Sequence, residues 1–300
     1  MKKISDTAVC IFAHIRDDNL TNLLNDIKKN SDHKKYIFHF FIDFPKNKIN
    51  LSKHYSILKI INEFKNGLKV KITVRKKNIG LYKNILEGIN FISKKYDKFI
   101  VLEDDLRVSK YFLKYMHYNL IRFKTNNKIY TISGYVFPKK IFKINLKNKS
   151  IFLLKRPNTW GWGSWSSKWE KIKFKDEIYK NIYEDSDKLD CISQYGNDLK
   201  YILRDTLKRK INSWAIKWTI FHILNNKFCI FPSTTFVNEV GFLYEPSNNK
   251  FKSTKFYHSK IKNFKPIKNA KLITENKNLK SALKNIYDFP VYKKLVKNFF

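Results

Sequence analysis

Four short apolar runs in the first third of the chain each stop at charged or turn-forming residues, and apolar residues recur at helical spacing between them. Thr7 to Ala13 (TAVCIFA) is bounded by Asp6 and by a polar cluster from His14 to Asn19. Tyr36 to Ile42 ends at Asp43 and the turn-forming Pro45. Val70 to Val74 is a third run, and Lys98 to Leu102 a fourth. Apolar runs of this length, closed by turn signals, read as buried strands. Leu20, Leu23, Leu24 and Ile27 mark a helix, as do Ile57, Leu58, Ile61 and Phe64, with Gly67 as a C-cap. Ile85, Ile89 and Ile92 mark a third. The strand–helix alternation predicts an α/β fold, a mostly parallel sheet with helices on both faces.

The fourth run stops at Glu103, Asp104 and Asp105, in a chain with 25 acids against 61 bases. Ligands of open α/β sheets bind outside the carboxyl ends of the strands. Adjacent carboxylates there repel unless a cation sits among them, and hard divalent ions prefer oxygen ligands. The other reading is a helix N-terminus, because Ser109 onwards is helical in pattern and acids favour that end of the dipole. Arg16 follows the first strand, where a guanidinium could fork onto a diphosphate, or could simply be solvated. Asp43 could accept from a base or ribose edge, or form an Asx turn before Pro45. His14 and Gly80 fall on the same edge, His14 more in keeping with a structural hydrogen bond.

The second half is less regular. Ile129 to Val136, with Gly134 near its end, and Ser150 to Leu154 read as strands. Helices are predicted from Ile192 to Lys208 and from Trp214 to Leu224, then strands from Lys227 to Phe231 and from Thr235 to Val240. All six tryptophans lie between positions 160 and 218, four of them in Arg156–Trp169. Glycines between large aromatics suit a backbone that turns tightly beside a ligand, and flat indole faces suit sugars or bases. Trp165 and Trp169 serve equally well as core, whereas a glycine-spaced loop should leave Trp160 and Trp162 near a cleft. From Lys250 onwards fourteen lysines face Glu275 and Asp288. This stretch reads as a loosely attached basic tail. Its stripe Leu279, Leu283 and Ile286, beside Lys280 and Lys284, fits a membrane-surface helix or one docked on the protein's own core.

A formal charge of +36 calls for an acidic partner: nucleic acid, an anionic membrane surface or a phosphorylated substrate. Lysine spread among asparagine and isoleucine along the whole chain accounts for part of that excess as coding bias. There is no arginine-rich arm, zinc-ligand spacing or aromatic RNA-binding signature, so nucleic acid is unlikely. Cys10, Cys191 and Cys229 lack metal or disulfide spacing and fit a reducing compartment. The run from Ala8 to Ala13 is too short for a signal peptide, and no stretch approaches a spanning helix. The expected location is the cytoplasm.

The ordered set Arg16, Asp43, Asn78-Ile-Gly-Leu-Tyr-Lys83 and Val101-Leu-Glu-Asp-Asp105 resembles the GT-A nucleotide-sugar glycosyltransferases, closest to the N-acetylglucosaminyltransferase I type. Ser133-Gly-Tyr135, Arg156 through Trp169, Asn212-Ser-Trp-Ala-Ile-Lys-Trp218, and Pro232 with Val237-Asn-Glu-Val-Gly-Phe242 are similar to its bacterial members. The resemblance covers about residues 7 to 245. It implies a Rossmann-like GT-A domain with a nucleotide-sugar-binding half (1–126), a Trp-rich acceptor half (127–250) and the basic segment 251–300. It implies that Asp105 ligates Mn2+ or Mg2+, that Glu103 and Asp104 hold the ribose and donor sugar, and that Arg16, Asp43, Gly80 and Lys83 lie on the donor. Trp160, Trp162 and Trp214 would face the acceptor. The family's Trp-Asp-Asp-Trp base has no counterpart in Asn212–Trp218, leaving Asp205 and Glu239 as substitutes. Leu243-Tyr-Glu-Pro-Ser247 also departs from the glycine- and histidine-rich loop of bacterial members.

The implied activity is metal-dependent transfer of a hexose or N-acetylhexosamine from a nucleotide sugar, with a uracil-type base. The acceptor would be a hydroxyl of a lipopolysaccharide-type or capsular glycan, at the inner face of a bacterial membrane. The alternatives are a basic nucleic-acid-binding protein and an inactive GT-A relative that binds glycans.

Overall fold

The computed structural model describes residues 3–144, 149–240, 261 and 263–288. The segment Leu243–Ser247 and both the beginning and the end of the basic stretch lie outside the described residues. The elements in order are β1 (Ile4–Ala13), α1 (Asp17–Lys28), β2 (Ile37–Ile42), α2 (Leu51–Phe64), β3 (Lys69–Val74), α3 (Gly80–Lys95) and β4 (Tyr96–Glu103). Then come β5 (Leu106–Val108), α4 (Phe112–Arg122), β6 (Ile129–Ser133), α5 (Lys139–Phe142), β7 (Ile151–Leu154), β8 (Trp162–Trp165), α6 (Ser166–Trp169) and α7 (Asp176–Glu184). The chain continues through α8 (Ser186–Ser193), α9 (Asp198–Leu207), α10 (Trp214–Leu224), β9 (Phe228–Pro232), β10 (Val237–Glu239), β11 (Leu272–Ile273) and α11 (Lys277–Tyr287).

The fold is mixed α/β: a nine-stranded sheet in the order β11-β7-β9-β6-β8-β4-β1-β2-β3, flanked by helices, beside a two-stranded β10-β5 ribbon. The four strands expected from the first third form one parallel block, with β1 between β2 and β4. The period of two in β1 sorts its side chains. Val9, Ile11 and Ala13 join Leu20, Leu23 and Leu24 of α1 and Ile57 and Ile61 of α2 in one core. Ala8, Cys10 and Phe12 join Ile85, Ile89 and Ile92 of α3 on the other face. A strand apolar on both faces is what a parallel sheet covered by helices requires.

The second half departs from the expectation in three places. Trp162–Trp165 is not a loop but a strand, inserted antiparallel between β4 and β6. The helix expected over 192–208 is broken into α8 and α9 at Gly196, whose φ is +132°. The basic stretch, read as loosely attached, is held firmly over 263–288. There β11 extends the sheet by pairing parallel with β7, and the Arg122 guanidinium donates to the Ala270 carbonyl at 2.6 Å. Leu279, Leu283 and Ile286 of α11 are buried in the main core, and Tyr287 lies edge-on to Phe137. Of the two readings of this helix, docking on the protein's own core is the observed one. No helix of the described residues is long and apolar enough to cross a membrane.

Candidate functional site

The strand order β3-β2-β1-β4 places a topological switch point between β1 and β4, the position at which open α/β sheets bind ligands. Both edges of that crevice carry charged residues found in the sequence. The Asp104 N–H donates to the Phe12 carbonyl at 3.0 Å, tying the acidic turn to the end of β1. The His14 N–H donates to the Asp104 carboxylate at 3.0 Å. Arg16, immediately before α1, reaches across to donate to Asp105 and stands 3.5 Å from Asp104. The Arg16 side chain remains 32% exposed and that of Asp105 15%, so this pair forms the accessible lip of a mostly buried cluster.

Glu239 belongs to the same cluster, and only tertiary pairing brings it there. β10 runs antiparallel to β5, with Glu239 opposite Leu106, and the Val240 N–H donates to the Asp105 carbonyl at 2.9 Å. Gly134 permits this approach: a Cβ there would stand 2.6 Å from the Phe112 ring and 2.8 Å from Val237. Electrostatically, Glu103 and Asp104 are pushed well above the usual carboxylate range, by burial first and by neighbouring acids second. Asp105 is also raised by burial, which outweighs the Arg16 guanidinium beside it. Glu239 adds to the repulsion on Glu103. One guanidinium therefore faces Glu103, Asp104, Asp105 and Glu239.

That imbalance is the observation that tests a bound cation. The donor set is all carboxyl oxygen, the hard chemistry that Mg2+ and Mn2+ prefer, and a cation among them would favour the charged forms that burial and mutual repulsion disfavour. On donor chemistry the residues fit a divalent ion. Among the described residues no three His, Cys, Asp or Glu side chains already converge as ligands.

Asp43 makes the local turn contact, one of its two readings, and more. Its buried carboxylate accepts the N–H groups of Phe44, Ile79 and Gly80, each at 2.9 Å, and the Asn78 amide at 3.3 Å. Two carboxylate oxygens offer about four acceptor sites, so these donors fill them. Asp43 thus holds the start of α3, where Gly80 adopts φ +78°, instead of presenting a free edge to a nucleobase. Asn78, within a motif already noted, also donates to the Phe44 carbonyl at 2.6 Å and approaches the His14 imidazole. Lys83 is exposed on the first turn of α3.

Asp205, Trp162 and Trp214 make their contacts elsewhere, whereas Trp160 packs on Tyr135, which feels the Glu239 charge. Asp205 is fully buried in α9, its two oxygens bound by the neighbouring Arg204 at 2.7 and 3.0 Å. Trp162 is fully buried, because β8 is an interior strand, and the expected cleft position is corrected accordingly. Its ring packs 4.7 Å from Trp218 and 5.7 Å from Trp214, in a cluster with Trp169. Trp214 is 5% exposed. Trp160 alone of the six tryptophans is partly exposed, edge-on to Tyr135 at 4.6 Å.

No protein-family model matches the chain, and no curated protein does. Among solved structures it is similar to residues 1–349 of TarS from S. aureus in complex with UDP. There the identity is 12%, with 77% of this chain and 59% of that one covered at a TM-score of 0.45. It is also similar to the galactosyltransferase LgtC with donor and acceptor sugar analogues, at 8% identity, 72% and 69% coverage and a TM-score of 0.35. A third is glucosyl-3-phosphoglycerate synthase from Mycobacterium tuberculosis with Mn2+ and UDP, at 8% identity, 54% and 57% coverage and a TM-score of 0.36. The chain spans about three-fifths of the length of that TarS fragment.

Proposed function

We propose that this chain is a nucleotide-sugar glycosyltransferase of GT-A type. In this reading it transfers a hexose or N-acetylhexosamine from a UDP-sugar to a hydroxyl of a bacterial surface glycan, lipopolysaccharide-type or capsular. The supporting observation is the meeting of Arg16 with Glu103, Asp104 and Asp105 at the switch point between β1 and β4. A guanidinium a third exposed there suits a diphosphate, and acids beside it suit sugar hydroxyls. Asp105, assisted by Glu103, would hold Mn2+ or Mg2+. When bound, such an ion offsets the charge that develops on a leaving diphosphate.

The remaining steps belong to the chain's own residues. Arg16 holds the diphosphate and orients the donor. Glu103 and Asp104, anchored by the end of β1, accept from ribose and sugar hydroxyls. Asp43 fixes the Asn78–Gly80 turn beside the nucleotide, with Lys83 near it. Glu239, beside Glu103, is the base candidate for the acceptor's proton, supported by the engagement of the alternative, Asp205, with Arg204. Trp160, edge-on to Tyr135, offers an aromatic face on the acceptor side, whereas Trp162 and Trp214 are core. The protein works in the cytoplasm, at the inner face of the plasma membrane.

The test is incubation with a panel of nucleotide sugars in Mn2+ or in EDTA, following nucleotide release and donor binding. Metal-stimulated release of UDP from one donor is the expected result. The absence of both binding and release with every donor overturns the reading.

A further inference from the structure

The carboxyl edge of the sheet, beside β2 and β3, carries a surface that the proposed chemistry does not use. Residues 44–58 and 72–86 contain no Asp or Glu and seven Lys or Arg. Lys46, Lys48 and Lys53 are exposed around the start of α2, and Lys76 and Lys77 around the turn before α3. Four of the large exposed apolar side chains stand among them: Ile49 at 87%, Tyr55 at 64%, Leu81 at 56% and Val74 at 43% exposure. α2 and α3 cover opposite faces of the sheet, and the two segments meet at this edge. The Phe44 carbonyl accepts the Asn78 amide, and the Phe44 ring packs 5.2 Å from His54, next to Tyr55.

Lysines at the opposite edge of the sheet are partly neutralised, Lys35 by Asp32 and Lys124 by Asp97. At the rim Arg75 pairs with Glu87 at 2.9 Å, but the exposed lysines have no acid within their own segments, and protruding apolar groups stand among them. A basic surface studded with exposed apolar residues suits the interface of an anionic bilayer, where apolar groups enter the headgroup layer and each base gains from the surface potential. A nucleic-acid duplex would use the lysines but leave Ile49 and Leu81 in water.

We propose that this rim docks the protein on an anionic lipid surface, with Ile49, Tyr55 and Leu81 entering the headgroups. The switch-point crevice, joined to the rim through Asp43 and Asn78, then opens along the membrane. The corollary that the acceptor glycan is carried on a lipid rests on the glycosyltransferase reading; the docking does not.

Sedimentation of the full chain with vesicles tests it, using phosphatidylcholine alone and an equal mixture of phosphatidylcholine and phosphatidylglycerol. Binding to the mixed vesicles only is expected, falling about tenfold or more in Lys48→Glu/Lys53→Glu and clearly in Ile49→Ser/Tyr55→Ser. The charge-matched Lys34→Glu/Lys94→Glu pair, at the opposite edge, should bind as wild type. Equal loss in that control, or equal binding to neutral vesicles, overturns the proposal. So does unchanged vesicle binding by the serine variant together with competition by a DNA duplex. UDP binding without vesicles, read on the same proteins, reports folding and tests the donor site separately: its absence in wild type removes the donor reading and leaves the docking result standing.

Discussion

The carboxylate of Asp43 accepts the backbone N–H of Gly80 at 2.9 Å, joining the end of β2 to the start of α3 across 37 positions of sequence. The same carboxylate holds Ile79, Phe44 and Asn78, so a residue that looks like a nucleotide reader is the clamp of the turn beside the crevice.

Asp43→Ala should therefore cost stability as well as affinity. Leaving these donors without their acceptor should destabilise the protein by about 1–3 kcal/mol, measured by chemical denaturation, and should weaken nucleotide binding through a displaced Asn78–Gly80 turn. Full stability with lost binding would instead mark Asp43 as a direct ligand contact.

Glu103→Gln separates stability from function. Glu103 is a half-buried acid whose charged form is disfavoured by desolvation and by Asp105 and Asp104, so the neutral isostere relieves strain at pH 9, above its raised pKa of about 8. The metal-free variant should melt at a higher temperature than wild type, while the stabilisation that Mn2+ adds to wild type should shrink. Thermal melts with and without Mn2+ read both. Asp105→Ala, removing the accessible acid of the lip, should abolish metal-dependent donor binding by calorimetry.

Glu239→Gln should retain UDP binding and lose transfer, by about 10²–10⁴-fold if the side chain acts as a general base. Steady-state rates beside a nucleotide titration decide this. Loss of UDP affinity in parallel with rate would assign Glu239 to the donor side alone.

His222 should make stability fall in acid. It is fully buried, its Nδ1 within 2.9 Å of the Trp218 carbonyl and its Nε2 within 2.9 Å of the Thr131 hydroxyl. Burial lowers its pKa from 6.5 to about 4. Between those values the unfolded chain binds a proton that the folded protein refuses. The contribution of this residue is therefore intact above pH 6.5 and declines as the pH falls towards 4, by on the order of 3 kcal/mol in all. Denaturation midpoints across that window should slope less in His222→Gln than in wild type.

The crevice was legible because its parts are local. Thr7–Ala13, Tyr36–Ile42, Val70–Val74 and Lys98–Leu102 are each bounded by their own neighbours, and the three acids interrupt an apolar run outright. Trp162–Trp165 was not legible as a strand. Its Gly163 reads as loop, whereas in the sheet the missing side chain lets the strand lie against the Phe99 carbonyl, 3.0 Å from where a Cβ would stand. β5, only Leu106–Val108, is too short to carry a period, so nothing in the sequence marked its pairing with Glu239.

By itself, then, the sequence determined the strand–helix alternation of the first third and the placing of Arg16 and Glu103–Asp105 at strand ends. Those follow from periodicity and from charge at a boundary, which act over a few residues. Tertiary structure alone decided that Asp43 is saturated by backbone donors, that Trp162 is core, that Asp205 stands apart and that Glu239 joins the acids. Burial, hydrogen-bond saturation and Coulomb repulsion depend on distances through space, and the fold sets those by joining positions more than a hundred residues apart, as it does when Val240 donates to Asp105.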